Sequence, residues 1–199
     1  CSGTLKQMAV GGAMYAGVYN DIWVPFQMTS GADRWMLNSA FIENAGIPAY
    51  NKTSFPEHWA SGFLCPKSTW KNPSWAAGYG EVQYAYGMNN DNGDTVGAAT
   101  FYRMPKLKRP SGSIIFTDAR LAGRTGFYRS EPEIYWLYGN DINANSEERV
   151  AYRHSGSKAC NAAFFDGHVE AIVHSALNYR NITDWSNSPI VRYWNPYTP

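Results

Sequence analysis

Several groups of side chains in this chain have the types and spacing to do chemistry. The first is His154, Asp166 and His168, in the run RHSGSKACNAAFFDGHVEAI. Imidazole nitrogens and a carboxylate suit zinc or a similar ion. His154 with Cys160 also has the composition of a base and a thiolate nucleophile. The plain reading is that His154 and Asp166 make local hydrogen bonds that shape a loop and a turn, and that Cys160 packs in an apolar strand. The second group is the run NDINANSEE, where Asp141, Asn143, Asn145, Glu147 and Glu148 offer alternating oxygens, as a calcium loop does. It lacks the sixth-position glycine and the twelfth-position glutamate of an EF-hand, and its plain reading is a solvated loop. Glu131 and Glu133 flank Pro132, but the carboxylates of a glycosidase normally come from separate elements. Cys1, Cys65 and Cys160 allow three pairings, between which spacing does not choose. There is no C-x-x-C to suggest a redox motif or a zinc knuckle. Gly11-Gly12 is not followed by Gly-Lys-Ser/Thr, so it is no phosphate loop, and no G-x-S-x-G occurs.

The elements that must position these residues follow from periodicity. Leu5, Met8, Ala9, Gly12, Tyr15, Ala16 and Tyr19 recur on one helical face. They predict a helix from about residue 3 to residue 20, capped by Ser2 or Thr4 and ended by Asn20-Asp21 and Pro25. Gly11 and Gly12 in its middle weaken it unless something packs closely there. SGADRWMLNSAFIENAGIP predicts a second, shorter helix, with Asp33 as cap and Gly46 and Pro48 as stop. Residues 47–75 are rich in Pro, Trp, Asn and Ser and read as irregular, with Cys65 extended before Pro66. EVQYAYGMN and GAATFYRM predict a strand and its return across NNDNGDT, a hairpin tip. SGSIIFTDA predicts a buried strand. CNAAFF and HVEAIV flank Asp166-Gly167, which predicts a hairpin with a type I′ turn. The tail from 175 to 199 reads as a surface wrap without regular structure, and residues 121–148 fit no template.

Composition narrows the function classes. The 17 Lys+Arg nearly balance 16 Asp+Glu, with no basic stripe, which argues against nucleic acid. No apolar run approaches the roughly 18 residues of a membrane span. Aromatic residues are 16% of the chain and charged residues only 17%, below the usual level of about 25%. That balance reads as an exported, loop-rich protein, its aromatics packing core and loops or gripping a polysaccharide.

Five segments, in order, resemble one family: bacterial type IV pilin-like proteins and type II secretion pseudopilins with the prepilin-type processing-associated H-X9-DG domain. The helix-to-loop segment from Cys1 to Pro25, FLCP (63–66), YAYGMN (84–89), RPSGSIIFTDA (109–119) and RH…CNAAFFDGHV (153–169) carry the likeness. The last departs from the signature, because eleven residues, not nine, separate His154 from Asp166.

The resemblance implies an α+β, pilin-like domain over 1–199. An N-terminal amphipathic helix would pack on an antiparallel β-sheet with long irregular loops and a C-terminal hairpin. His154, Asp166, Gly167 and His168 would be its structural signature. A Cys1–Cys65 bridge would tie helix to loop and leave Cys160 buried and free. Family members carry a basic leader, a prepilin peptidase site and an apolar half-helix, and this chain would start just after them. The implied partners are other pilin-like subunits and the membrane, both through that preceding helix, and prepilin peptidase on the precursor. The implied place is the cell envelope, periplasmic or surface-exposed, with an inner-membrane anchor before assembly. The implied role is structural, with no catalysis and no cofactor, or calcium at most. Two alternatives remain: a carbohydrate-binding or adhesion module, and a lipoprotein acylated at Cys1.

Overall fold

A computed structural model describes residues 1–26, 35, 38–47, 65, 86–89, 93–96, 99–118, 150–156, 158–173, 176–177 and 191–197. Its elements in chain order are α1 (Ser2–Val18), α2 (Ser39–Asn44), β1 (Tyr86–Met88), β2 (Asp94–Val96), β3 (Ala99–Phe101), β4 (Ile114–Asp118), β5 (Ala159–Phe164), β6 (Val169–Val173) and α3 (Val191–Trp194). Strands β1, β4, β5 and β6 form one antiparallel sheet in that spatial order, and β2 and β3 form a separate antiparallel pair. The described residues are therefore a mixed fold with one N-terminal helix against an antiparallel sheet.

Helix α1 buries Leu5, Met8, Ala9, Gly11, Gly12, Tyr15 and Ala16 and lies against β4, β5, β6 and α2. Its N-cap is Cys1, without a side-chain capping bond, so neither Ser2 nor Thr4 caps it. The expected stop is there: Asn20 and Asp21 take φ of 54° and 59°, the left-handed region that ends a helix and that Asn and Asp tolerate. Tyr19 lies off the buried face and stacks on Tyr15 at 4.1 Å. The paired glycines have a packing reason. A methyl at Gly11 would fall 2.6 Å from Ala45 Cα, and one at Gly12 would overlap the Trp23 ring.

Helix α2 starts later than expected. Asn38 is its cap, its Oδ1 accepting the Phe41 N–H at 3.0 Å, and Asp33 and Pro48 lie outside the described residues. Gly46 (φ 63°) ends it in a Schellman arrangement, with Ile47 N–H on Ile42 O and Gly46 N–H on Glu43 O.

Both faces of the four-stranded sheet are covered along β4 and β5, which is why β4 and most of β5 are buried at successive residues instead of alternating. One face joins Tyr86, Met88, Phe116 and Ala163 to α1, Trp23, Trp35 and Phe41. The other joins Ile114, Cys160, Ala162, Phe164 and Ile172 to Tyr152, Leu177 and Trp194. A register shift between Ile114 and Phe116 lets these two residues serve opposite faces.

Two expectations are corrected. The strand at 99–101 does not return along YAYGMN. It pairs with Asp94–Val96, inside the supposed hairpin tip, while Tyr86–Met88 pairs with β4. The tail does carry structure. Helix α3 contacts β4, and the buried Asn89 amide donates to both Trp194 O and Ile114 O at 2.8 Å. Expected irregular structure over 47–75 lies outside the described residues apart from Ile47 and Cys65.

Candidate functional site

The described polar groups converge where β4 ends. Asp118, the last residue of β4, is fully buried. Here side chains continue the sheet ladder. Thr117 Oγ1 donates to Asn161 O at 3.0 Å, and Asn161 N–H donates to Asp118 Oδ2 at 2.6 Å. The same Oδ2 lies 3.1 Å from His154 Nε2. Asp118 Oδ1 has no hydrogen-bond partner among the described residues. Burial pushes the Asp118 carboxyl above the usual carboxylate range, against the opposing pull of the Asn161 N–H, Arg153 and His154. Tyr86 is pushed up to about 12, first by burial and then by the Asp118 charge.

His154 is held by its backbone. Its N–H donates to Ala159 O and its carbonyl accepts from Lys158 and Ala159, closing a loop in which Ser155 and Gly156 have φ of 49° and 68°. The SGSKA segment thus turns the chain so that His154 stands over the end of β4. Above it lies a disulfide between Cys1, at the start of α1, and Cys65 (Cα–Cα 5.1 Å). Cys65 Sγ is 3.8 Å from His154 Nε2, and Tyr86 Oη donates to Cys1 O at 3.3 Å. The ligand atoms of Cys1, Cys65 and His154 all lie within 4.8 Å of one another.

This is not the geometry of a catalytic triad. Asp118 and Cys65 both approach Nε2, whereas a relay uses the two ring nitrogens separately. Cys160 is no better a nucleophile. It is buried, its thiol donates to Ile172 O at 3.7 Å, and burial pushes it up to about 12, away from the thiolate.

The first group of sequence candidates is not brought together. His154 pairs with Ala159 at the start of β5, and Asp166 lies beyond its end at Phe164. Five strand steps separate them by about 17 Å. One ion on His154, Asp166 and His168 is therefore excluded by this geometry. Asp166 instead shapes its turn. Its Oδ1 accepts the His168 N–H at 3.0 Å and contacts His168 Nδ1 at 2.6 Å, while the His168 ring stacks on Phe164 at 4.2 Å. The turn is also not type I′. Of Asp166 and Gly167 only Gly167 has a positive φ, 87°, and Phe164 N–H donates to His168 O, so the loop has three residues with glycine in the left-handed position. Lys6 of α1 donates to Gly167 O at 2.6 Å.

Asp141, Asn143, Asn145, Glu147, Glu131 and Glu133 lie outside the described residues. Asp94, in the other oxygen-rich run, pairs with Lys106 at 2.8 Å and Arg103 at 3.3 Å. Asp118 and Asn89 are the polar residues to which sequence reasoning gave no role. The available signal was a carboxylate and an amide closing otherwise apolar strands.

Comparison with known proteins gives no match: no family model, no curated protein and no solved structure is similar to this chain. The class defined by the described residues is an α+β domain with a buried aspartate, Asp118, contacting His154 beside a helix-to-loop disulfide.

Proposed function

We propose that this chain is the globular domain of a pilin-like or pseudopilin-like subunit, non-enzymatic, that assembles into a filament or secretion apparatus at the cell envelope. One observation carries this reading. The face of α1 turned away from the sheet exposes Val10 (42%), Met14 (51%) and Val18 (71%) at intervals of four, with Ala13 and Gly17 between them. Such spacing makes one apolar stripe, and a contiguous exposed apolar stripe suits burial against another molecule. The opposite face of the same helix is fixed to the sheet, and its start is tied to Cys65. A subunit that stacks through its N-terminal helix needs that combination of a rigid mount and an apolar outer face. No described helix is long and apolar enough to cross a membrane.

Two features weigh against the alternatives. The Cys1 sulfur is engaged in the disulfide and is not free to carry a lipid thioether. Trp23, Trp35 and Trp194, the described tryptophans, are all buried rather than set in a sugar-binding row.

Intact mass and N-terminal sequencing of the native protein from source-cell envelopes test the reading. A longer chain with a methylated, apolar N-terminus is expected. A native chain that begins at an acylated Cys1 would overturn it.

A further inference from the structure

We propose that Cys1, Cys65 and His154 form a soft-metal site for zinc or a similar divalent ion, opened by reduction of the disulfide, with the fourth position left to solvent. The geometry is close to what zinc needs. Zinc–sulfur and zinc–imidazole bonds of about 2.3 and 2.0–2.1 Å in a tetrahedron put sulfur and nitrogen about 3.6 Å apart. Cys65 Sγ and His154 Nε2 are 3.8 Å apart. Asp118 Oδ2 reaches the same nitrogen at 3.1 Å, and its Oδ1 is buried without a hydrogen-bond partner among the described residues. The ligand atoms of Cys1, Cys65 and His154 are gathered within 4.8 Å of one another, a group that Asp118 does not join.

Charge and mounting agree. Two thiolates balance the two positive charges of a divalent cation, and the imidazole binds as a neutral ligand. Two of the three ligands are held independently of the S–S bond. His154 sits on its backbone bridge to Ala159, and Cys1 on Tyr86 Oη and the Leu5 N–H through its carbonyl. An external dithiol would break the S–S bond, delivering two electrons and two protons to the cysteine sulfurs and closing to its own disulfide. The metal then displaces both thiol protons.

The test uses the whole chain carrying Cys160→Ala, so that no third thiol binds metal, titrated with cobalt(II) as a visible zinc surrogate. It is done oxidised, and again after reduction by a phosphine, with far-UV circular dichroism alongside. The expected result is stoichiometric binding with a thiolate-to-cobalt charge-transfer band only in the reduced chain. His154→Gln should weaken it by roughly tenfold or more. Absence of the band after reduction, equal binding by the oxidised chain, or undiminished affinity in His154→Gln would each overturn the proposal. If reduction unfolds the chain, zinc must restore the native spectrum; a chain that stays unfolded with zinc present also overturns it.

Discussion

His154 presents a single nitrogen, Nε2, to the fully buried Asp118 carboxylate at 3.1 Å and to the Cys65 sulfur at 3.8 Å. The end of the β4–β5 connection is thereby joined to the sheet end and to the bridge that starts α1. The pair fastens three separate parts of the chain at one point.

Asp118→Ala is therefore expected to be among the most damaging single changes. It leaves the Asn161 N–H and His154 without their acceptor. Leaving such donors without their acceptor costs about 1–3 kcal/mol. Asp118→Asn keeps an oxygen for Asn161 and should cost clearly less. Urea unfolding of the two variants beside the wild type measures the difference, and equal losses would show that the acceptor, not the charge, is irrelevant.

Reduction of Cys1–Cys65 without added metal removes a cross-link spanning 64 positions. The loop-entropy relation gives a loss of about 4 kcal/mol for a closure of that length. Urea midpoints with and without a phosphine, in a Cys160→Ala background, give the value. A shift near zero would mean that Tyr86 and the packing of α1 on the sheet hold the helix start without the bridge.

The glycines of α1 divide into two kinds. Gly11→Ala and Gly12→Ala place a methyl against Ala45 and the Trp23 ring, and such overpacking costs about 1–3 kcal/mol. Gly17 has nothing within 4 Å of an added Cβ. Gly17→Ala should therefore stabilise by up to about 1 kcal/mol through helix propensity. Thermal unfolding of the three variants reads the sign directly, and a common sign would remove the close-packing account of the Gly-Gly pair.

What was legible in the sequence were the features with a local cause. Leu5, Met8, Ala9, Tyr15 and Ala16 reveal the buried helix face by their spacing, and Asn20-Asp21 reveals its end. Asp166-Gly167 reveals a hairpin, but its turn type was hidden because Phe165, which joins the loop, looks like one more strand residue. The partner of Ala99–Phe101 was not legible. A strand's own pattern does not say which neighbour it takes, and Asp94-Thr95 reads as turn chemistry until it is paired. The site was hidden for the same reason. Asp118 is marked as buried by the apolar residues before it, yet its partners come from a distant loop and from β5. His154 was visible as a candidate, but its spacing to Asp166 suggested the wrong companion, since a strand of known length stands between them.

The Asp166 turn supplies a pH-dependent prediction. Burial pulls the Asp166 carboxyl upward, but the His168 backbone N–H, its ring and its charge outweigh that and hold the group below the usual carboxylate value. The other cation facing the turn is Lys6, which holds Gly167 O from α1. A carboxylate lowered in the folded state stabilises the protein above its unfolded value, about 3.9, and loses that contribution as pH falls through the folded value. The pair is partly exposed, with side-chain exposures of 40% for His168 and 36% for Asp166. Screening therefore keeps the effect within about 1 kcal/mol. Asp166→Asn should then be less stable than wild type at pH 6 by up to about that much, and the two should converge as pH falls below about 3.9. Urea midpoints of both proteins from pH 6 downward make the comparison. A gap that persists at the acid end would assign the cost to the lost hydrogen-bond geometry at His168 N–H rather than to charge. A gap that never opens would mean that Gly167 and Lys6 hold the turn without Asp166.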